Sequence, residues 1–176
     1  MDILNDKILT VPFYSQYMDI HDKHWMLRGC GVTCLKMSLD YFGAKTPDLD
    51  LMIQKAVAMG AYGDSGWYHD GLIAVAKEYG IQAWRKEDME TTEGVKEMHA
   101  MLQDGGLVIA LVVQRLLGRH KFHQVLLIGY REEGNDLKGF YYHDPMSSDR
   151  DQGKALYVEA DIFKVYWRNK AIFLKN

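Results

Sequence analysis

The fold of this chain is decided by the stretch RGCGVTCLKMSLDYFG, residues 28–43. Large apolar side chains recur there with the spacing of one helix face, at Leu35, Leu39 and Phe42. Gly43 then ends the pattern, as glycine commonly does just past a helix. We therefore predict a helix from Cys30 to Phe42, with Cys30 in its first turn.

Cys30 has a special chemical position on this helix. A thiol in the first helical turn lies near unsatisfied backbone N–H groups, whose partial positive charge favours thiolate over thiol. Because the thiolate is the nucleophilic form, we predict that Cys30 is a reactive nucleophile. Cys34 lies one turn further along, beside Leu35, and is expected to be a buried and inert thiol.

Two downstream side chains complete a candidate catalytic group. His123 begins a strand-like run, and Asp144 lies in an Asp-Pro turn. A free thiol is largely protonated at neutral pH, so an imidazole that takes its proton raises the thiolate fraction. We predict that His123 is this base and that Asp144 accepts the hydrogen on its Nδ1 and fixes the tautomer. His120 and His143 are the next candidates for the base.

Each of these side chains also has an ordinary structural interpretation. A lone histidine is more often a satisfied structural residue than a base, and aspartate before proline is a common turn former.

A zinc site is a further alternative. Its candidate ligands are Asp19, His21, Asp22 and His24 with Cys30 and Cys34. Structural zinc sites use paired Cys or His ligands at a spacing that this stretch lacks. We therefore expect no metal and no cofactor.

The composition bounds the class of protein. With 176 residues and 48% hydrophobic content, residues 1–176 are expected to form a single domain. The formal net charge of −3 supplies no basic field, so we expect no nucleic-acid partner. Two cysteines four residues apart make no disulfide framework, and the first residues resemble no signal peptide. The longest apolar run, Leu107–Val113, is far shorter than the roughly 20 residues of a membrane span. These features favour a cytoplasmic location.

The two halves of the chain differ in their patterns. In the first half we predict an edge strand at Ile8–Tyr14, interrupted by Pro12, and a loop at Gln16–Gly29. Three further helices are predicted there, at Asp48–Met59, Asp70–Tyr79 and Glu93–Gln103.

In the second half short apolar runs replace the helical pattern. Strands are predicted at Leu107–Val113, Gln124–Tyr130, Phe140–Tyr142, Ala155–Val158 and Ala171–Leu174. A turn at Glu133–Asp136 and a short helix at Asp161–Trp167 separate some of them. The predicted class is α+β, with a helical N-terminal half packed on a C-terminal antiparallel sheet.

Six motifs, in this order along the chain, resemble one known family. They are VPFYSQ (11–16), GCGVTCLKMSLDYFG (29–43), AKEYG (76–80), GGLVIA (105–110), HQVLLIGY (123–130) and HDP (143–145). The chain resembles the bacteriocin-processing, double-glycine leader peptidases and their stand-alone relatives, which are papain-like cysteine peptidases. The resemblance covers nearly the whole chain.

The resemblance implies a papain-like cysteine peptidase that acts on a peptide or protein substrate, with no cofactor. It implies that Gln16 supplies the side-chain amide of an oxyanion hole, beside the backbone N–H of Cys30. It also implies cleavage after paired small residues such as Gly-Gly, with Trp25 and Trp67 as candidate cleft walls. The chain departs from the family where Arg28 and Gly29 precede Cys30, because an acidic residue is frequent there, and in its longer path from Gln16 to Cys30.

Two other functions remain open at this point. The same thiol chemistry serves an acyltransferase or amidase on a small molecule. A catalytically inactive domain of the same fold would instead bind a peptide in its cleft. The sequence leaves the oligomeric state and the natural substrate open.

Overall fold

The structure, a computed structural model, describes residues 3–114 and 121–176. Within these residues the helices are α1 (Gln16–Asp19), α2 (Lys23–Met26), α3 (Cys30–Tyr41), α4 (Leu49–Ala58), α5 (His69–Glu78), α6 (Thr91–Gln103), α7 (Arg150–Gly153) and α8 (Ala160–Tyr166). The strands are β1 (Leu4–Ile8), β2 (Tyr62–Gly63), β3 (Gly66–Trp67), β4 (Gln82–Lys86), β5 (Leu107–Gln114), β6 (Lys121–Glu133), β7 (Asp136–His143), β8 (Leu156–Glu159) and β9 (Trp167–Lys175).

One antiparallel sheet organises the molecule. Its strand order is β4-β9-β5-β6-β7-β8, and β1 pairs with the far part of β6. Strands β2 and β3 form a separate hairpin. The class is α+β with an antiparallel sheet, as the sequence predicts.

The sheet is covered by helices on both faces because its strands are apolar on both sides. On β6, Leu126 and Ile128 belong to one buried cluster with apolar residues of α3, α4 and α5. Val125 and Leu127 belong to a second cluster with residues of α6 and α8. This alternation follows from the two-residue period of a strand. It places α3 against the strand that begins beside His123.

Helix α3 is almost completely buried, including its one lysine. The ammonium group of Lys36 donates to Oγ1 of Thr46 (2.6 Å), to the carbonyl of Pro47 (2.9 Å) and to the carboxylate of Asp40 (3.1 Å). A buried charge is tolerated only when it is paired and hydrogen-bonded in this way. The cysteine helix is therefore held rigidly at its C-terminal half.

The four long helices that the sequence predicts are all confirmed, with bounds shifted by one or two residues. The predicted strands of the second half are also present, and most extend beyond the apolar runs that predicted them. Strand β7, for example, begins at Asp136 although only Phe140–Tyr142 was predicted. Pairing with β6 continues past the apolar residues to the hairpin turn.

Two predictions for the first half are wrong. The first strand is Leu4–Ile8, not Ile8–Tyr14, and the chain from Leu9 to Tyr14 is irregular. Pro12 lacks an N–H group for a strand ladder, whereas the polar residues before it pair fully with β6. The predicted loop at Gln16–Gly29 contains the short helices α1 and α2. Side chains of Ser15 and Asp22 cap them by accepting backbone N–H bonds.

The hairpin β2–β3 and strand β4 were not predicted. The hairpin has a turn sequence, Gly63-Asp64-Ser65-Gly66, but flanks of only two residues each. Strand β4 has one buried residue among five, and its pairing with β9 stabilises it. No helix among residues 3–114 and 121–176 is both long and apolar enough to cross a membrane.

Candidate active site

Cys30 is the first residue of α3 and lines a cleft. Gly29 precedes it as the helix N-cap. A β-carbon at Gly29 would lie 2.2 Å from Cδ1 of Ile20, so a larger residue there would displace this buried side chain. Cys30 remains partly exposed, whereas Cys34 is buried. The prediction that Cys34 is the buried thiol is confirmed.

His123 lies near the start of β6, opposite Val112 of β5, and is 4% exposed. Its Nε2 lies 2.7 Å from Oδ1 of Asp144, which follows the end of β7. The predicted pairing of His123 with Asp144 is thus present, but the predicted nitrogen is wrong. Nε2 and not Nδ1 meets the carboxylate, because the rotation of the ring depends on the approach of the loop after β7, which the sequence does not specify.

The carboxylate oxygen of Asp144 that meets His123 accepts a second hydrogen bond. This Oδ1 also accepts the backbone N–H of Met146 at 2.9 Å, and the backbone N–H of Asp144 donates to the carbonyl of Gly153 at 2.8 Å. These bonds hold the loop after β7 against the short helix α7. Asp144 can therefore orient the imidazole of His123.

Cys30 and His123 are electrostatically coupled. Burial alone would raise the pKa of the Cys30 thiol. The pKa is nevertheless below its ordinary value, because His123 and the backbone N–H groups of Gln124 and Gly31 stabilise the thiolate. Burial alone would lower the pKa of His123, but Asp144 and Cys30 raise it. Both directions favour a thiolate beside an imidazolium.

Nδ1 of His123 is the nitrogen left for the thiol. It is buried, and no group among the described residues lies in position to form a hydrogen bond with it. Because Nε2 is occupied by Asp144, an interaction of the ring with Cys30 uses Nδ1. The imidazole thus lies between the sulfur and the carboxylate.

Gln16 is 1% exposed and lines the same cleft as Cys30. Its backbone N–H donates to the carbonyl of Pro145 at 2.8 Å, and its side-chain Nε2 donates to the carbonyl of Met26 at 2.9 Å. A β-carbon on Gly29 would lie 3.5 Å from the Cβ of Gln16, so the residue packs directly before the cysteine. The structure thus brings Gln16, Cys30 and His123 to the lining of one cleft, and Asp144 is bonded to His123.

The other candidates are engaged elsewhere. His143 is buried, its Nε2 lies 3.0 Å from the carbonyl of Val11, and its Nδ1 accepts the N–H of Ala155 at 3.0 Å. Both ring nitrogens therefore serve the structure, and burial lowers the pKa of this imidazole. His120 lies outside the described residues.

The four ligand-like residues of the N-terminal segment do not converge. Asp19 pairs with Arg150 at 2.7 Å, and His21 pairs with Asp50 at 2.7 Å. Asp22 caps α2. Across residues 3–114 and 121–176, no group of three His, Cys, Asp or Glu side chains is arranged to hold a metal ion.

The cleft has a volume of about 940 Å³ and aromatic walls. Tyr62, Trp67 and Tyr68, in and just after the β2–β3 hairpin, line it, and so do Leu111 of β5 and Phe122 of β6. The indole N–H of Trp67 donates to the carbonyl of Arg28 at 2.6 Å, which fixes the hairpin beside the cysteine. Two tryptophans were predicted as cleft walls. Trp67 lines the cleft, whereas Trp25 does not and packs against Trp67, with 5.6 Å between the ring centroids.

A sequence model of one family matches almost the whole chain. The model describes the peptidase C39-like family, and it matches residues 8–171. The chain belongs to the peptidase C39-like family. As a member of that family it is a cysteine peptidase, and the predicted enzyme class and family are confirmed. No curated protein matches the sequence of this C39-like peptidase.

Solved structures confirm the papain-like fold. A C39-like peptidase from Bacillus anthracis is 21% identical with a TM-score of 0.68, and the match covers 98% of each chain. A double glycine motif protease from an AMS/PCAT transporter, solved with a leader peptide, is 19% identical with a TM-score of 0.61, covering 96% of this chain and 94% of that one. The peptidase domain of Streptococcus ComA is 16% identical with a TM-score of 0.54, covering 84% and 91%.

Proposed function

We propose that this C39-like peptidase hydrolyses peptide bonds with Cys30 as nucleophile, His123 as acid and base, and Asp144 as the residue that orients His123. The observation that supports this most directly is the bond of 2.7 Å from Nε2 of His123 to Asp144, beside a thiol whose pKa is lowered. A nucleophile, its base and the base's orienting group are the parts that acyl transfer requires.

The reaction follows from these positions. The Cys30 thiolate attacks the scissile carbonyl carbon, and the imidazolium of His123 gives its proton to the leaving amine as the C–N bond breaks. The acyl group is then a thioester on Cys30. His123, now neutral, takes a proton from a water that attacks the thioester, which releases the acid and regenerates the thiolate–imidazolium pair.

Two donors are proposed for the oxyanion that forms at each attack. One is the backbone N–H of Cys30, at the N-terminus of α3, and the other is the Nε2 amide of Gln16. One hydrogen of that amide is donated to Met26, and the second is free to donate to the oxyanion. Donors fixed before the reaction stabilise the oxyanion without reorganisation.

We propose that the substrate is an extended peptide with small residues before the scissile bond. The double glycine motif protease that shares this fold was solved with a leader peptide. In the present chain Tyr62, Trp67 and Tyr68 line the cleft near Cys30, and bulky walls exclude large side chains next to the scissile bond. Gly-Gly or Gly-Ala at the cleaved position is therefore expected to be preferred.

A peptide library tests the function and the specificity together. Peptides that differ only at the two residues before one bond are incubated with the wild type and with Cys30→Ala, and products are mapped by mass. Faster cleavage after Gly-Gly than after Phe, Leu or Arg, absent in Cys30→Ala, is the expected result. Equal cleavage of bulky and small residues contradicts the specificity alone, whereas cleavage by Cys30→Ala contradicts the proposed nucleophile.

We also propose that residues 1–176 form one domain and that it works in a reducing compartment such as the cytoplasm. Both core clusters are built on the same sheet, and both cysteines are free. A nucleophilic thiolate requires reduction to stay active. Cell fractionation of the native protein checks the compartment. The absence of nucleic-acid partners stays a prediction.

A further inference from the structure

A buried polar pair outside the catalytic group lies against the first turn of α3. Gln124 directly follows His123 on β6 and is 4% exposed. Its side-chain Nε2 lies 3.1 Å from Nε2 of His69, the first residue of α5. Oε1 of Gln124 and Nδ1 of His69 are buried and lack hydrogen-bond partners within the described residues. Such unsatisfied groups are rare, so their position requires a reason.

The protonation of the pair follows from its geometry. The Nε2 amide of Gln124 can only donate, so Nε2 of His69 accepts and Nδ1 of His69 bears the ring hydrogen. Burial lowers the pKa of His69, which keeps this neutral form. The charged groups that face the ring are Asp70, Arg85, Glu87 and Lys170, and their effects on it oppose one another.

The main chain of Gln124 lies near both cysteines. Its backbone N–H is one of the groups that lower the pKa of the Cys30 thiol. Its carbonyl accepts the S–H of Cys34 at 3.5 Å. The strand that supplies the proposed base therefore also places a polar main-chain group near each cysteine.

The side chain of Gln124 packs tightly against the first turn of α3. A β-carbon at Gly31 would lie 2.2 Å from Oε1 of Gln124, closer than any real contact. Glycine after Cys30 thus allows the amide to lie directly on the backbone of α3. The amide is then held between α3 and His69 of α5.

We infer that Gln124 and His69 are positioning residues for Cys30. Their hydrogen bond holds Gln124 so that its backbone N–H meets the sulfur of Cys30 and stabilises the thiolate. If the bond is lost, residue 124 shifts and this stabilisation weakens. The inference rests on the proposed function of Cys30, and it adds two residues to which the proposed reaction assigns no step.

The test measures the pH dependence of Cys30 alkylation by iodoacetamide, with the adduct mapped by mass. His69→Ala is expected to slow alkylation at pH 7 several-fold and to raise the pH midpoint. His69→Gln is expected to restore most of the rate, because the end of a glutamine side chain reaches the position of the histidine Nε2. Gln124→Glu places a carboxylate against Gly31, the residue after Cys30. It is expected to raise the midpoint by about one unit, which makes alkylation below the midpoint roughly tenfold slower.

A matched control separates positioning from general destabilisation. His99 of α6 has a similar, partly buried bond, 3.0 Å from Glu132, and does not line the cleft. His99→Asn is expected to leave the midpoint unchanged. Melting temperatures are measured for every variant, and if His69→Ala does not fold, Gln124→Glu and His69→Gln decide.

Two results overturn the inference. One is a wild-type midpoint in a folded His69→Ala or Gln124→Glu variant, and the other is a His69→Gln variant as impaired as His69→Ala. If the wild-type Cys30 itself is unreactive, the proposed function fails, and that outcome is distinct from a reactive wild type whose variants do not differ.

Discussion

The carboxylate of Asp144 meets Nε2 of His123 at 2.7 Å and leaves Nδ1 of the same ring for Cys30. The charge on Asp144 raises the pKa of His123 and so maintains the imidazolium that faces the thiolate. The orienting residue therefore has an electrostatic as well as a geometric role. Removing only its charge separates the two.

Asp144→Asn is the variant that removes the charge and keeps the shape. Because an amide oxygen still accepts the Nε2 hydrogen, we expect residual activity, with kcat lowered by about 10- to 100-fold. The loss of the negative charge also lowers the pKa of His123, so the falling limb of the pH profile moves to lower pH. Steady-state kinetics between pH 5 and 11 measure both. Full activity with an unmoved limb contradicts the role of Asp144.

Gln16→Ala removes the proposed side-chain donor of the oxyanion hole. We expect kcat to fall by roughly 10²- to 10³-fold with little change in KM, because the donor acts on charge that develops only in the transition state. Gln82→Ala, at an exposed position on β4, is the control and is expected to behave as the wild type. A rise in KM at constant kcat assigns Gln16 to substrate binding instead.

The pH profile of kcat/KM is expected to have two limbs. Activity requires a deprotonated Cys30 and a protonated His123. The rising limb follows the Cys30 pKa, which is lowered from its ordinary value of 9.0, and the falling limb follows the His123 pKa, which is raised from 6.5. Activity therefore rises at lower pH than a free thiol would allow and falls only well above neutral pH. A single rising limb near pH 9 is incompatible with the ion pair.

Much of the fold could be predicted from the sequence because its signals are local. The helical spacing of Leu35 and Leu39 and the stop at Gly43 predict α3 almost to the residue. Strand β4 could not be predicted, because one buried residue, Ala83, gives no alternation and pairing with β9 is a tertiary contact. The short helices α1 and α2 depend on side-chain caps within a polar segment that has no apolar period.

The residues of the candidate site could be predicted from the sequence, but their geometry could not. Chain order and local setting indicated Cys30, His123 and Asp144, and the family resemblance added Gln16. The sequence does not specify ring rotation, so the nitrogen that bonds Asp144 was predicted wrongly. Gln124 lies in the HQVLLIGY motif, but no role was predicted for it, although a polar residue directly after the candidate base in an otherwise apolar strand was a usable signal.

The central claim is that His123 converts Cys30 into a thiolate at neutral pH. Its most direct test is the rate of iodoacetamide alkylation at each cysteine against pH, in the wild type and in His123→Ala, with adducts mapped by mass. We expect Cys30 to react much faster than Cys34, with a midpoint below 9.0 that rises in His123→Ala. Preferential labelling of Cys34, or a Cys30 midpoint that is the same in both proteins, would contradict the account.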